Sequence, residues 1–112
     1  MATYDIGETF APRARQLENP ALADKMLGRS ISRVELQAAL ANNEIIEVYE
    51  HDNRVRYVLL GMVGGRSLHV VVAEDDVVDA TVVLSVYKPD AAHGWDPATG
   101  YRTRTEGERG ER

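Results

Sequence analysis

The sequence lacks cysteine altogether, and it has only one tryptophan, one phenylalanine and four prolines in 112 residues. Without cysteine there is no disulfide framework and no thiolate metal site. No apolar run approaches the roughly 20 residues that a membrane helix needs, so no membrane association is expected. The first five residues show neither a basic segment nor an apolar one. We therefore expect no secretory signal and a cytoplasmic protein.

An excess of basic residues is also missing, since the net charge is −5. A protein that binds nucleic acid usually has a basic face, and the composition indicates no DNA partner, although a local cluster of cations would not show in it. The three histidines, His51, His69 and His93, have no metal-ligand spacing. The sequence also contains no nucleophile elbow, phosphate-binding glycine loop or dinucleotide fingerprint. We expect neither a metal nor a cofactor.

The chain is organised around Arg54 to Lys88. Two β-rich runs, Val55 to Val63 and Arg66 to Ala73, flank Gly64-Gly65. This pattern predicts a tight hairpin, because a primed turn needs positive φ. Glu44 to Glu50 and Ala80 to Tyr87 are predicted to be the strands before and after it.

Helices are predicted ahead of the strands. Pro12 is expected to open a short helix through Leu17, and Asn19-Pro20 a second helix that ends at Gly28. Ser32 and Glu35 form a capping box for a third helix over Arg33 to Ala41. The predicted fold class is α+β, with two or three N-terminal helices packed on a four-stranded antiparallel β-meander. Residues 1–18 are expected to be an arm or short helix, 19–100 a single domain and 101–112 a mostly disordered polar tail.

Alternation along the strands separates two faces of the predicted sheet. A two-residue turn pairs Val63 with Arg66 and Leu60 with His69. One face is apolar and should meet the helices. The opposite face, called here the mixed face, is predicted to carry Arg56, Val58, Leu60, Met62, Ser67, His69, Val71, Thr81, Val83, Ser85 and Tyr87.

Two interpretations of His69 follow from the residue alone. It is a general acid or base, since its ordinary pKa of about 6.5 suits proton transfer near neutrality, or it is a half-buried histidine bonded to a strand neighbour. Trp95 either caps the edge of the core or stacks on a base. Tyr101, Arg102 and Arg104 are either a phosphate-binding group or a solvated chain end.

Three segments together resemble a known family. They are Arg29 to Ser32 with Glu35 and Glu44 to Tyr49; Leu59 to Gly61 with Gly65 to Ala73; and Val86 to Asp90 with Trp95 beyond. They resemble the bacterial family called domain of unknown function 4258, over about Ala21 to Arg104. That family looks like the small RelE-type and barnase-like ribonuclease toxins, in which helices pack on an antiparallel sheet whose open face cleaves RNA without metal.

The resemblance implies a set of site residues. His69 would be the acid or base, Tyr87 would orient the substrate or donate a proton, and Arg66 or Arg104 would stabilise the charge of the phosphorane. The residues implied in binding are Arg56, Ser67, Ser85, Trp95, Tyr101 and Arg102. Family members usually carry a His-Ala pair where this chain has Ala21-Leu22, which favours a catalytically degenerate copy.

Two functions from different classes therefore compete. The first is a ribonuclease-toxin-type domain that binds or cleaves RNA, which predicts a positive patch that includes Arg56, Arg66, Arg102 and Arg104. The second is a non-catalytic interaction module that binds an antitoxin-like protein or forms a homodimer. It predicts an exposed apolar patch on the mixed face, made of Val58, Leu60, Met62, Val71 and Val83.

Overall fold

The computed structural model describes residues 4–103. It contains a five-stranded mixed sheet with two helices on one face. The elements in chain order are β1 (Gln16–Glu18), α1 (Leu22–Gly28), α2 (Arg33–Ala41), β2 (Glu44–His51), β3 (Arg54–Val63), β4 (Arg66–Asp75), β5 (Ala80–Tyr87) and a 3₁₀ turn, Ala91–His93.

The strands lie in the order β1-β5-β4-β3-β2. The α+β class and the antiparallel meander of β2 to β5 are confirmed. The predicted four-stranded sheet is wrong by one strand, because β1 pairs in parallel with β5. The predicted helix from Pro12 through Leu17 is also wrong. Residues 16–18 gain backbone partners on the free edge of β5, and such pairing between distant segments overrides a local helix signal.

An ion cluster holds the segment before β1 against the turn between β4 and β5. The Arg13 guanidinium contacts Glu74 at 3.2 Å, Asp76 at 2.5 Å and Asp79 at 3.0 Å. The Arg13 backbone N–H also donates to the Thr81 hydroxyl at 2.8 Å. These bonds align the chain for the parallel pairing that follows.

The helix α2 begins as the sequence predicts. The Ser32 hydroxyl accepts from the Glu35 N–H at 3.1 Å, and the Glu35 carboxylate accepts from the Ser32 N–H at 2.9 Å. This closes the predicted capping box. The preceding helix α1 begins at Leu22, two residues later than expected. Asn19 accepts from the Ala21 N–H instead of serving as the N-cap.

The core lies between the helices and the apolar face of the sheet. Its buried members come from the N-terminal segment, both helices and β2 to β5: Phe10, Leu22, Met26, Ile31, Leu36, Ala39, Leu40, Ile45, Tyr57, Leu59, Leu68, Val70, Val72, Val83 and Val86. Gly61 allows α2 to approach β3 closely, since a Cβ there would lie 2.6 Å from the Ala39 Cβ. The apolar face therefore meets the helices, as predicted.

The hairpin register is confirmed, with Val63 opposite Arg66 and Leu60 opposite His69. The expected positions of Thr81 and Val83 on the mixed face are wrong, because Thr81 pairs with Glu74 and Val83 with Val72, on the other side of the sheet. The register between β4 and β5 shifts, because Val71 faces Ser85 whereas Val72 faces Val83. The extra residue is Leu84, and this β-bulge turns Val83 into the core. Tyr87 and Ser85 keep the side that the alternation predicts.

Neither helix in the described part of the chain is long and apolar enough to cross a membrane.

Candidate functional site

The mixed face is covered at one end by residues 94–103, called here the C-terminal strap. The Ser67 hydroxyl donates to the Pro97 carbonyl oxygen at 2.8 Å. Gly100 rests directly on the sheet, since a Cβ there would lie 2.3 Å from the Leu60 Cδ1. The Tyr101 hydroxyl donates to the Glu44 carboxylate, which raises the pKa of Tyr101. The strap therefore closes the part of the sheet that the family resemblance leaves open.

His69 lies beneath this strap and is 0% exposed. Its Nε2 is 2.7 Å from the Gly100 carbonyl oxygen. A carbonyl only accepts, so Nε2 carries the proton and Nδ1 is an acceptor. Nδ1 is 3.4 Å from the Tyr87 hydroxyl, which can donate to it. Burial lowers the pKa of His69, so the imidazole is neutral near pH 7.

Trp95 closes the other side of His69. The indole and imidazole rings meet edge to face with centroids 4.5 Å apart. The Arg102 guanidinium lies 3.9 Å from the centre of the indole ring and pairs with Glu47 at 3.2 Å. Trp95 is itself only 6% exposed. It therefore caps the core edge, which was the first of its two interpretations.

Tyr87 is the member of this cluster that reaches the surface. It lies opposite His69 across β4 and β5, and its hydroxyl is in an environment that raises its pKa, chiefly by burial and then by the charge of Glu47. The phenol therefore keeps its proton near neutrality. Of the His69–Tyr87 pair, only Tyr87 can contact a ligand in this conformation.

One cleft beside Tyr87, called here the sheet-face cleft, has a volume of about 480 Å³. It is lined by Asn19, Lys25, Glu47, Tyr49, Arg56, Val58, Val71, Leu84, Ser85 and Tyr87. Lys25 and Arg56 have no acceptor among residues 4–103, and the Nε of Arg56 is buried without a partner there. The predicted binding residues Arg56 and Ser85 thus share this cleft with Tyr87.

A second cleft, called here the β5-end cleft, lies on the other side of Tyr87 and has a volume of about 570 Å³. It is lined by Arg29, Tyr87, Lys88, Asp90, His93 and Trp95. Tyr87 therefore borders both clefts, and no other residue in the described part of the chain lines both. Each cleft contains two cations that nothing in the described chain neutralises.

The predicted site residues separate into three groups. His69, Tyr87, Ser67, Trp95, Tyr101 and Arg102 meet at the strap, while Arg56 and Ser85 lie in the sheet-face cleft. Arg66 does not join them, because it pairs with Glu35 of α2 on the opposite face. Arg104 lies outside the described residues, as does most of the tail that was expected to be disordered.

The sequence analysis missed Lys25, Arg29 and Lys88. Lys25 and Arg29 belong to α1 and its end, and only the packing of α1 beside β5 brings them to the clefts. Lys88 directly follows Tyr87 in the chain, so its position at the end of a predicted strand, next to a candidate site residue, was the one feature of the sequence that could have indicated it. Among the described residues, no group of three His, Asp or Glu side chains is placed to hold a metal ion.

A family model described as domain of unknown function (DUF4258) matches residues 22–88. The chain belongs to this family. No curated protein and no solved structure matches the chain. The likeness of DUF4258 to RelE-type toxins therefore stays a prediction.

The DUF4258 segment contains β2 to β5, both helices, His69, Tyr87 and Lys88. It ends before Trp95 and the C-terminal strap. Ala21, which stands where the resemblance expects histidine, is the exposed N-cap residue of α1. No imidazole is therefore present at the start of α1.

Proposed function

We propose that this DUF4258 domain binds single-stranded RNA along the mixed face of its sheet, with Tyr87 at the centre of the contact. One observation carries the proposal, namely that Tyr87 separates two clefts lined by unpaired cations and aromatic rings. Single-stranded RNA is bound by that combination, because cations follow the phosphates and aromatic side chains stack on unpaired bases. The net charge of −5 does not oppose this, since the four cations that line these clefts have no carboxylate partner among residues 4–103.

In the sheet-face cleft, Lys25 and Arg56 are the phosphate ligands. Neither has a carboxylate partner in the described chain, whereas Glu47, the acidic residue of this cleft, is paired with Arg102. The Tyr49 ring is 39% exposed and offers a surface for a base. The cleft therefore presents uncompensated positive charge beside an accessible aromatic ring.

The His69–Tyr87 pair gives the ribonuclease resemblance a specific chemical form. The 2′-hydroxyl of a bound nucleotide would pass its proton to the Tyr87 oxygen while Tyr87 passes its own proton to Nδ1 of His69. The 2′ oxygen attacks the adjacent phosphorus, and the 5′ oxygen leaves and takes a proton from water. The Gly100 carbonyl orients the imidazole of His69, which is the general base, as the third group of a catalytic triad does.

The interaction-module alternative loses its main surface. The apolar patch that it predicts is not exposed, because Val58, Leu60, Val71 and Val83 are all less than 8% exposed. Met62 alone of that set is exposed. An antitoxin-like partner or a homodimer would have to use a different surface.

Binding of a labelled single-stranded RNA, followed by fluorescence anisotropy over a series of salt concentrations, tests the proposal. Each lost phosphate contact should reduce the slope of log affinity against log salt by about 0.7 for single-stranded RNA. We expect Lys25→Ala and Arg56→Ala each to weaken binding and reduce this slope. Arg33→Ala is the matched control, since Arg33 is exposed at the start of α2, which packs on the opposite face of the sheet.

Cleavage is measured by incubating the same RNA with the protein in the presence of a metal chelator. We expect Tyr87→Phe to abolish cleavage while RNA binding persists, because it removes the hydroxyl and keeps the ring. RNA binding equal in all variants, or absent from the wild type, would refute the proposed function. Binding without cleavage would leave the RNA-binding function and refute only the proton-transfer role of Tyr87.

A further inference from the structure

The β5-end cleft contains neither of the phosphate ligands named above, Lys25 and Arg56. Its volume of about 570 Å³ lies in the range of small-molecule sites, roughly 300–1,000 Å³. It is built from three separate segments, namely the end of α1, the end of β5 and the 3₁₀ turn. Its position directly across Tyr87 from the sheet-face cleft makes it a distinct subsite.

Two cations in this cleft, Arg29 and Lys88, have hydrogen-bond donors that are free to bind an anion. Nη1 of Arg29 donates to the Val86 carbonyl oxygen at 2.8 Å, which fixes the plane of the guanidinium. Its remaining N–H groups have no acceptor within residues 4–103. Lys88 also has no acceptor there. A guanidinium fixed in this way loses little freedom when it binds a phosphate, which it can bind with two parallel hydrogen bonds.

The one carboxylate in the cleft is already engaged. Oδ1 of Asp90 accepts from Nδ1 of His93 at 2.7 Å and from the His93 backbone N–H at 3.0 Å. This hydrogen bonding lowers the pKa of Asp90. Asp90 therefore neutralises neither Arg29 nor Lys88, and the cleft keeps a positive charge.

The remaining wall is aromatic. Trp95 and Tyr87 line the cleft beside the two cations. Arg102 covers one face of the indole, which holds this ring in place. An occupant must therefore present a negative group to Arg29 and Lys88 and a flat apolar group to the rings.

We propose that the β5-end cleft binds one nucleoside monophosphate unit, with its phosphate on Arg29 and Lys88 and its base against the Tyr87 ring, beside the edge of Trp95. The inference rests on the proposed function, because the cleft continues the RNA path past Tyr87. The same chemistry is offered by a nucleotide within an RNA chain and by a free nucleoside monophosphate. Specificity for a nucleotide would then depend on Arg29 and Lys88, which lie outside the sheet-face cleft.

Trp95 provides the test, since it is the single tryptophan of the chain. Its fluorescence is titrated in the full-length protein with each of the four ribonucleoside monophosphates, with adenosine and with inorganic phosphate. Free tryptophanamide corrects for absorption by the nucleotides. We expect saturable quenching by at least one monophosphate, at least tenfold tighter than by adenosine or phosphate alone.

Variants identify the site. Lys88→Ala and Arg29→Ala should each weaken monophosphate binding about tenfold, since one tenfold step is the size of a single charge-assisted contact. Lys88 is exposed, so its variant tests the site even where Arg29→Ala fails to fold. Arg33→Ala is the control and should bind as the wild type does. A short RNA that competes with the monophosphate would identify the cleft as a subsite of the RNA path, whereas a lack of competition would identify a site for free nucleotide.

Three results would overturn the inference. They are the absence of saturable quenching, equal affinity for inorganic phosphate and monophosphate, and unchanged affinity in Lys88→Ala. The proposed function fails separately, through Lys25→Ala and Arg56→Ala in the anisotropy assay. RNA binding that persists without monophosphate binding would refute this inference alone.

Discussion

The contact of Gly100 with the sheet predicts how firmly the C-terminal strap is held. Replacement by alanine has two costs. The φ of +82° at Gly100 lies in the left-handed region, where a Cβ costs about 1–2 kcal/mol. The new Cβ would also lie 2.3 Å from the Leu60 Cδ1 and 3.1 Å from the Ser67 Cβ. Crowding in a packed site costs about 1–3 kcal/mol.

Gly94→Ala is a matched control for the backbone cost alone. Gly94 has a φ of +84°, and the nearest atom to an added Cβ is Nη1 of the Arg102 side chain at 3.1 Å. Urea unfolding of both variants is followed through Trp95 fluorescence. The free energy of unfolding should be about 1–3 kcal/mol lower for Gly100→Ala than for Gly94→Ala. Equal losses of stability would refute the close packing of the strap on Leu60.

Three further predictions concern the rest of the molecule. Ser32→Ala should lower the free energy of unfolding by about 1 kcal/mol, because it removes the cap of α2. Gly61→Ala should cost about 1–3 kcal/mol in the same denaturation assay, because its Cβ would meet Ala39, whereas no loss would refute that close approach. Burial lowers the pKa of His69, so the unfolded chain binds its proton more readily. The contribution of His69 to the free energy of unfolding should be fully present above about pH 6.5 and should fall as the pH drops towards the folded-state pKa of His69. Urea unfolding of His69→Phe should lack this part of the pH dependence.

Local sequence signals predicted the parts of the fold that depend on local chemistry. Gly64 and Gly65 adopt the positive φ that a primed turn requires, and this fixes Leu60 opposite His69. The same alternation places Arg66 beside Leu68, on the face away from His69. The position of Arg66 away from His69 was therefore already visible in the sequence.

The errors concern pairing between distant segments. Gln16–Glu18 forms a strand only because Thr81 to Val83 offers a free edge, and three residues are too few to show periodicity. The bulge at Leu84 inverts Val83 with no glycine or proline to mark it.

The candidate site depended on two tertiary features that the sequence does not show. One is the strap, which places the Gly100 carbonyl on His69 and buries this histidine, which the sequence left either as an acid or base or as a half-buried residue. The other is the packing of α1 against β5, which brings Arg29 beside Tyr87. The sequence identified most of the residues that form the candidate site. It did not show that Tyr87, and not His69, is accessible to a ligand, because that depends on the tertiary packing.

The most direct measurement of the central claim is a map of amide and indole NMR shifts as single-stranded RNA is added to the full-length protein. We expect the shifts to be concentrated at Lys25, Arg56, Tyr87 and Lys88 and at the Trp95 indole N–H. The outer face of α2 should be unchanged. Shifts confined to α2, or no shifts at all, would contradict RNA binding on the mixed face.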